Sequence, residues 1–151
     1  MSLGRGASLV ASLGPVGHLP RAPATAASLL GALAWRRLAP SPRRATLLVL
    51  AVALVGGACA RACITPGDPD PQRVVVDELA GVWLALAGLP PSWPACLAGG
   101  FAFRLLDRLK PGPVAAVQRL GGAGGVMADD LLAGALANLL LRGGLAVSRA
   151  R

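Results

Sequence analysis

Tyrosine is absent from this 151-residue chain, lysine and histidine each occur once, and aromatic residues make up only 3%. Nucleic-acid surfaces combine basic clusters with stacking aromatics, so this composition argues against nucleic acid as a partner. Three cysteines, Cys59, Cys63 and Cys96, are too few and too scattered for a disulfide framework. Cys59 and Cys63 would share a helix face, but no histidine or further cysteine completes a zinc set, and they read as small buried hydrophobes. The lone histidine, His18, excludes a Ser-His-Asp site except through that residue. Charged residues are also few, at 15%, against about 25% in ordinary soluble domains. Acids are the scarcest of these: seven in all, and none before Asp68.

What is present is apolar and basic. Hydrophobic residues make up 54%, which excludes a disordered chain. Fifteen Lys and Arg give a net charge of +8, and an anionic membrane surface is the expected partner. The length is one domain's worth. Six arginines fall in the first 44 residues, but no apolar signal core with a cleavage site precedes them. Residues 1–16 are expected to form a loose tail and residues 17–151 a single compact helical domain.

Four uncharged apolar stretches carry the architecture: Ala22–Trp35, Ala45–Ala60, Leu79–Phe103 and Leu131–Leu141. Strand-like alternation is scarce, so the fold class is all-α. Pro90, Pro91 and Pro94 divide the third stretch, and Gly143 with Gly144 predicts a stop for the fourth. A membrane-spanning helix needs about twenty apolar residues, and no stretch supplies them without a proline break. Folding Leu79–Phe103 back at Pro90–Pro94 keeps all acidic groups on one side. That arrangement suits a membrane-embedded bundle and a compact bundle with a very apolar core equally well.

The acids fall in four groups: Asp68 with Asp70, Asp77 with Glu78, Asp107 alone, and Asp129 with Asp130. Each group borders or enters an apolar segment, where an unpaired charge is costly to desolvate. Carboxylates gathered from several helices are what Mg²⁺ requires, since it takes oxygen ligands. Ordinary structural roles compete with this reading. Asp129 and Asp130 follow the glycine run 121–125 and would serve as helix cap and first-turn acid; Asp77 and Glu78 open the next run in the same way. Asp68 and Asp70 lie in a Pro/Gly loop and suit turns. Asp107 has Arg104 three residues before it and Lys110 three after, as in a salt-bridged helix ending near Pro111.

Several phosphatase and nucleotide motifs are missing. Asp68-Pro69-Asp70 lacks the preceding apolar strand of an aspartate-nucleophile loop, and no cysteine is followed by arginine at the spacing of a cysteine phosphatase. Residues 121–125 are not followed by Lys-Ser/Thr, so they form no P-loop. Taken in order, four other segments resemble the phosphatidylglycerophosphatase A family: Gly17–Thr25, Asp70–Glu78 with Gly81, Phe103–Pro113, and Gly125–Gly134. The likeness covers about Gly17 to Leu141. Ala24 and Ala27 stand where the family usually has glycine, Gly112 where it often has tryptophan, and Gln118 where aspartate is common.

The resemblance implies a bacterial Mg²⁺-dependent hydrolase that removes the terminal phosphate of phosphatidylglycerophosphate to give phosphatidylglycerol. It implies metal ligation by Asp70, Asp77, Glu78, Asp107, Asp129 and Asp130, the last five also catalytic, with Arg104, Lys110 and Thr25 binding substrate. The carboxylates would hold Mg²⁺, which orients the phosphate and lowers the pKa of an attacking water. It places the protein at the cytoplasmic membrane with its site on the cytoplasmic face; a peripheral or soluble form is the alternative. Two rival expectations stand beside it: a non-catalytic lipid-binding homologue, and a phosphatase for a different phosphate monoester.

Overall fold

The computed structural model describes residues 3–38 and 40–149. Seven helices order them: α1 Leu3–Ala11, α2 Pro23–Leu38, α3 Pro42–Arg61, α4 Val76–Leu86, α5 Trp93–Leu109, α6 Gly112–Gln118 and α7 Gly122–Arg149. No strand forms among the described residues; an isolated bridge joins Thr65 and Asp68. The all-α expectation therefore holds. Helix α3 is continuous but carries one π turn, Val52–Gly56.

Helix α5 starts where the proline corner ends. Ser92 is its N-cap and accepts from the Ala95 N–H, with Pro94 in the first turn. It stops at Lys110, just before Pro111, as the spacing requires. Helices α2, α4, α5, α6 and α7 supply the main core residues Trp35, Val82, Trp83, Leu86, Phe103, Val114, Ala133 and Ala137. The Trp83 indole donates to the Gly31 carbonyl at 2.9 Å, satisfying its buried N–H and locking α4 against α2.

Three expectations are corrected. The expected loose tail 1–16 is ordered from residue 3 onward: α1 occupies Leu3–Ala11, Ala11 and Ser12 are buried, and the Ala11 carbonyl accepts from the Val75 N–H at 2.9 Å. Residues 1 and 2 of that tail lie outside the described residues. Ala11 joins a second apolar cluster with Ala60, Cys63, Val74, Val76, Ala80 and Met127, so the apolar face of α1 is anchored by packing. Gly143 and Gly144 do not stop α7, because neither takes the positive φ of a glycine C-cap and the helix runs on to Arg149. Helix lengths consequently exceed the apolar runs: α3 has 20 residues and α7 has 28, each with a window of mean hydropathy 1.6, long and apolar enough to cross a membrane. Much of their apolar surface is uncovered, including Leu47, Leu54, Leu139 and Leu140.

Candidate active site

Helices α4 and α7 run parallel and in register, at an offset of 53 residues. Asn138 donates to the Ala85 carbonyl across the pair at that separation. One turn earlier Gly134 meets Gly81, and one turn before that Asp130 meets Asp77. The pentapeptide Asp-x-Leu-Ala-Gly recurs at the same offset, as Asp77–Gly81 and Asp130–Gly134. Ala80 and Ala133 are fully buried. A Cβ on Gly134 would overlap the Gly81 carbonyl, and one on Gly81 would overlap the Phe103 ring. Glycine alone permits this approach of backbones. Because helical Cβ atoms tilt toward the N-terminus, each aspartate one turn before its glycine is carried into the seam.

Candidate ligand oxygens of Asp77, Glu78 and Asp130 all lie within 4.8 Å of one another. Asp77 Oδ1, Glu78 Oε2 and Asp130 Oδ2 are buried and have no hydrogen-bond partner. Burial, followed by the charges of Glu78 and Asp130, pushes the Asp77 carboxyl well above the ordinary carboxylate range. Burial raises Glu78 too, against the opposing pull of its contacts with Asp77 and Arg104. Three like-charged groups with idle lone pairs, shielded from water, are unfavourable unless a cation joins them. Their donor chemistry, carboxylate oxygen only, fits a hard divalent cation.

Around this trio stand two cations. Arg104 Nη1 lies 2.7 Å from Asp107 Oδ2 and 3.9 Å from Glu78 Oε1. Lys110 Nζ lies 2.5 Å from Asp129 Oδ2 and 3.9 Å from Asp107 Oδ1. Partial burial disfavours the Lys110 charge, but Asp129, Asp107 and Asp130 outweigh it and raise its pKa. Lys110 caps α5 in the left-handed region, φ 43°, a position glycine usually fills. That turn ends the helix and accompanies the ammonium's reach across to α7.

A pocket of about 310 Å³ collects all of these groups but Arg104. Asp77, Glu78, Asp107, Lys110, Asp129 and Asp130 line it, and exposed Asp70 stands on its wall. Of the expected ligands, then, Asp77, Glu78 and Asp130 converge, while Asp107 and Asp129 are engaged by Arg104 and Lys110. Asp129 and Asp130 lie about two turns inside α7, so they are not capping residues. Asp77 and Glu78 do occupy the first turn of α4, where the helix dipole favours acids, and they also enter the cluster. Thr25 lies apart, on a neighbouring apolar groove. Within the family-like segment Gly17–Thr25, it is Ala22, Pro23 and Ala24 at the amino end of α2 that form part of the pocket wall, residues to which the sequence assigned no role. Pro23 in the first helical position was the signal for that helix end.

The helical bundle thus gathers three buried carboxyl groups beside an arginine and a lysine, a donor set that could hold a hard cation and face an anionic group. The chain matches the family profile described as Phosphatidylglycerophosphatase A over residues 9–145. It belongs to the phosphatidylglycerophosphatase A family and is a phosphatase. It is 37% identical over 134 residues to a Bacteroides thetaiotaomicron protein provisionally named a phosphatidylinositol-3-phosphatase, covering 83% of this chain and 84% of that one. It is 32% identical over 124 residues to the Escherichia coli K12 protein named phosphatidylglycerophosphatase A, covering 80% of this chain and 72% of the relative. A Haemophilus influenzae protein of that name is 38% identical over 77 residues, half of this chain and 47% of the relative. No solved structure matches it.

Proposed function

We propose that this pocket hydrolyses the terminal phosphate monoester of phosphatidylglycerophosphate, releasing phosphatidylglycerol and phosphate, and that it does so with Mg²⁺. The reading is carried by the three buried, unpartnered oxygens of Asp77, Glu78 and Asp130. These residues would hold the cation. When bound, it supplies Lewis-acid polarisation of the phosphate and an attacking water of lowered pKa.

The chain's own residues do the rest. A phosphate dianion would be repelled by the bare carboxylates; Lys110 on the pocket wall offsets that repulsion, and Arg104 does so through its contacts with Glu78 and Asp107. As negative charge builds on the phosphoryl oxygens, the two cations are already positioned to offset it. Asp107 and Asp129 fix those cations in place, since each holds one at hydrogen-bond distance. The first-turn N–H groups of α2 supply a further anion-favouring end to the pocket. The uncovered apolar faces of α3 and α7 support insertion in a bilayer, with the acidic end of the bundle at the cytoplasmic face.

The test is phosphate release from phosphatidylglycerophosphate in detergent micelles, with Mg²⁺ and with EDTA, using wild-type and folded Asp130→Asn protein. Mg²⁺-dependent release that the variant lacks supports both substrate and metal. Absence of release from well-folded wild type with any divalent cation overturns the reading. The Bacteroides relative's name favours a second reading, a phosphoinositide monoester. Phosphatidylinositol 3-phosphate in the same assay separates the two by their kcat/KM.

A further inference from the structure

We infer that the apolar groove between α2 and α5 seats an acyl chain of the same phospholipid whose phosphate enters the carboxylate pocket. This rests on the lipid-phosphatase reading above and adds where the rest of the substrate lies. The groove has a volume of about 610 Å³. Leu29, Ala32 and Leu33 of α2 form one wall, and Leu97, Gly100 and Phe101 of α5 form the other. Leu29, Leu97 and Phe101 are 60%, 61% and 70% exposed, uncovered by the other described residues. Ser28 turns its hydroxyl back to the Ala24 carbonyl at 2.9 Å, leaving little polarity in the groove.

Two connections join groove and pocket. Arg104 is the groove's only charged residue, and its guanidinium touches Asp107 and Glu78, both of which line the carboxylate pocket. On the other wall, Thr25 lines the groove directly after Ala22, Pro23 and Ala24 line the pocket. An amphiphile with its terminal phosphate among the carboxylates therefore meets a cation next and hydrocarbon after that. In phosphatidylglycerophosphate the group between terminal phosphate and acyl chains is an anionic phosphodiester, which suits Arg104. From Arg104 to Trp93 at the far end, α5 rises about 16 Å, long enough for an extended chain segment. The Arg36 guanidinium stacks 4.3 Å above the Trp93 ring and marks that end.

Gly100 makes the groove hollow and makes it testable. A Cβ there would meet only the Ala32 Cβ, at 3.8 Å, an ordinary contact, so a substituted side chain starts into the groove without a clash at its first carbon. Replacing a mid-helix glycine also favours the helix. The experiment measures kcat and KM of wild type, Gly100→Phe and a control, Gly143→Phe, whose position has nothing within 4 Å. Substrates are dihexanoyl and dipalmitoyl phosphatidylglycerophosphate in mixed micelles. The expected result is a kcat/KM ratio favouring the dipalmitoyl lipid in wild type and control, cut about tenfold in Gly100→Phe, because chain methylenes each contribute to binding.

An unchanged ratio in folded Gly100→Phe overturns the proposal, and so does an altered oligomeric state with the ratio intact, which would assign the groove to a second copy. A second readout needs no turnover: quenching of Trp93 fluorescence by brominated-chain phosphatidylglycerol, with Trp93→Phe identifying its share. Quenching that Gly100→Phe abolishes supports the groove even if wild type cleaves neither lipid, an outcome that would overturn only the substrate reading. Equal quenching in wild type and Gly100→Phe overturns the groove.

Discussion

The two ends of the α4–α7 seam are both polar, and they are built oppositely. At the Ala85 end, Asn138 Nδ2 donates to the carbonyls of Ala85 and Ala87 at 2.9 Å, and Asn138 Oδ1 accepts from Arg142 Nε at 2.7 Å. Arg142 Nη2 also donates to Ala87 O, so the last carbonyls of α4 are closed by side chains. Donors match acceptors, and the cluster needs nothing from outside. At the Asp77 end, two turns earlier, three carboxyl groups converge and each leaves a buried oxygen without a partner. Both clusters lie in one helix pair at one register. A satisfied cluster stabilises the bundle by itself; the open one, on the function proposed above, is completed by a bound cation.

The sharpest way to break that comparison is Asp130→Asn. If the open cluster is functional, the variant loses turnover by about 10³-fold, the scale of removing a principal electrostatic group from a site. Its metal-free fold should hold or improve, because one of three repelling carboxylates is neutralised. Each 1 kcal/mol gained would raise the melting temperature by about 2–4 °C. Phosphate release and thermal unfolding in EDTA check the two halves. Lost activity together with a lower melting temperature would mean that the acids chiefly hold the bundle together.

Gly134→Ala tests the geometry that the two clusters share. Its Cβ meets the Gly81 carbonyl, backbone that cannot rotate aside, so the helices must separate. Destabilisation of about 3 kcal/mol is expected by denaturant titration. Turnover of the folded fraction should fall as well, since a displacement near 1 Å at a reacting centre can cost about 10²-fold. Gly143→Ala, in open space on the same helix, is the control and should stabilise by up to about 1 kcal/mol.

These glycines show what was legible in the sequence. The helix class, the break at Pro90–Pro94 and the end of α5 before Pro111 follow from local backbone chemistry, which sequence records directly. The acids could be recognised as a set because charge within apolar runs is costly wherever the runs fold. The Arg104–Asp107 pairing was legible from its three-residue spacing, but the convergence of Asp77 and Glu78 with Asp130 depends on a helix crossing between residues 53 apart, and the Lys110–Asp129 pair on the meeting of α5 with α7. The repeated Asp-x-Leu-Ala-Gly was the available signal, since two identical small-residue faces suit a close in-register pair. Helix α1 and the run of α7 through Gly143 and Gly144 escaped because tertiary contact in the first case, and the absence of any positive-φ stop in the second, decide them.

Cation addition should close the open end and make it resemble the other. At a Mg²⁺ concentration a hundred times its Kd, wild type should gain about 2.7 kcal/mol of stability. Asp130→Asn should gain little, because one of its three converging carboxylates is gone. Melting curves across a Mg²⁺ series measure this without any substrate. Equal stabilisation of both proteins would place cation binding elsewhere.

The smallest effect is expected at the closed end. Asn138→Leu removes the amide that serves Ala85 and Ala87; Arg142 still reaches Ala87, so Ala85 O is the carbonyl stranded. A buried acceptor left without a donor costs about 1–2 kcal/mol, and that loss should appear in denaturant titration. Turnover per folded molecule should stay within about twofold of wild type, because the seam between Gly81 and Gly134 still sets the spacing of Asp77 and Asp130. Asp130→Asn and Asn138→Leu then form a crossed pair, one losing activity and keeping stability, the other the reverse. If Asn138→Leu loses turnover as steeply as Asp130→Asn, the seam acts as one unit, and an unsatisfied cluster could no longer be read as a functional one on the ground that it is open.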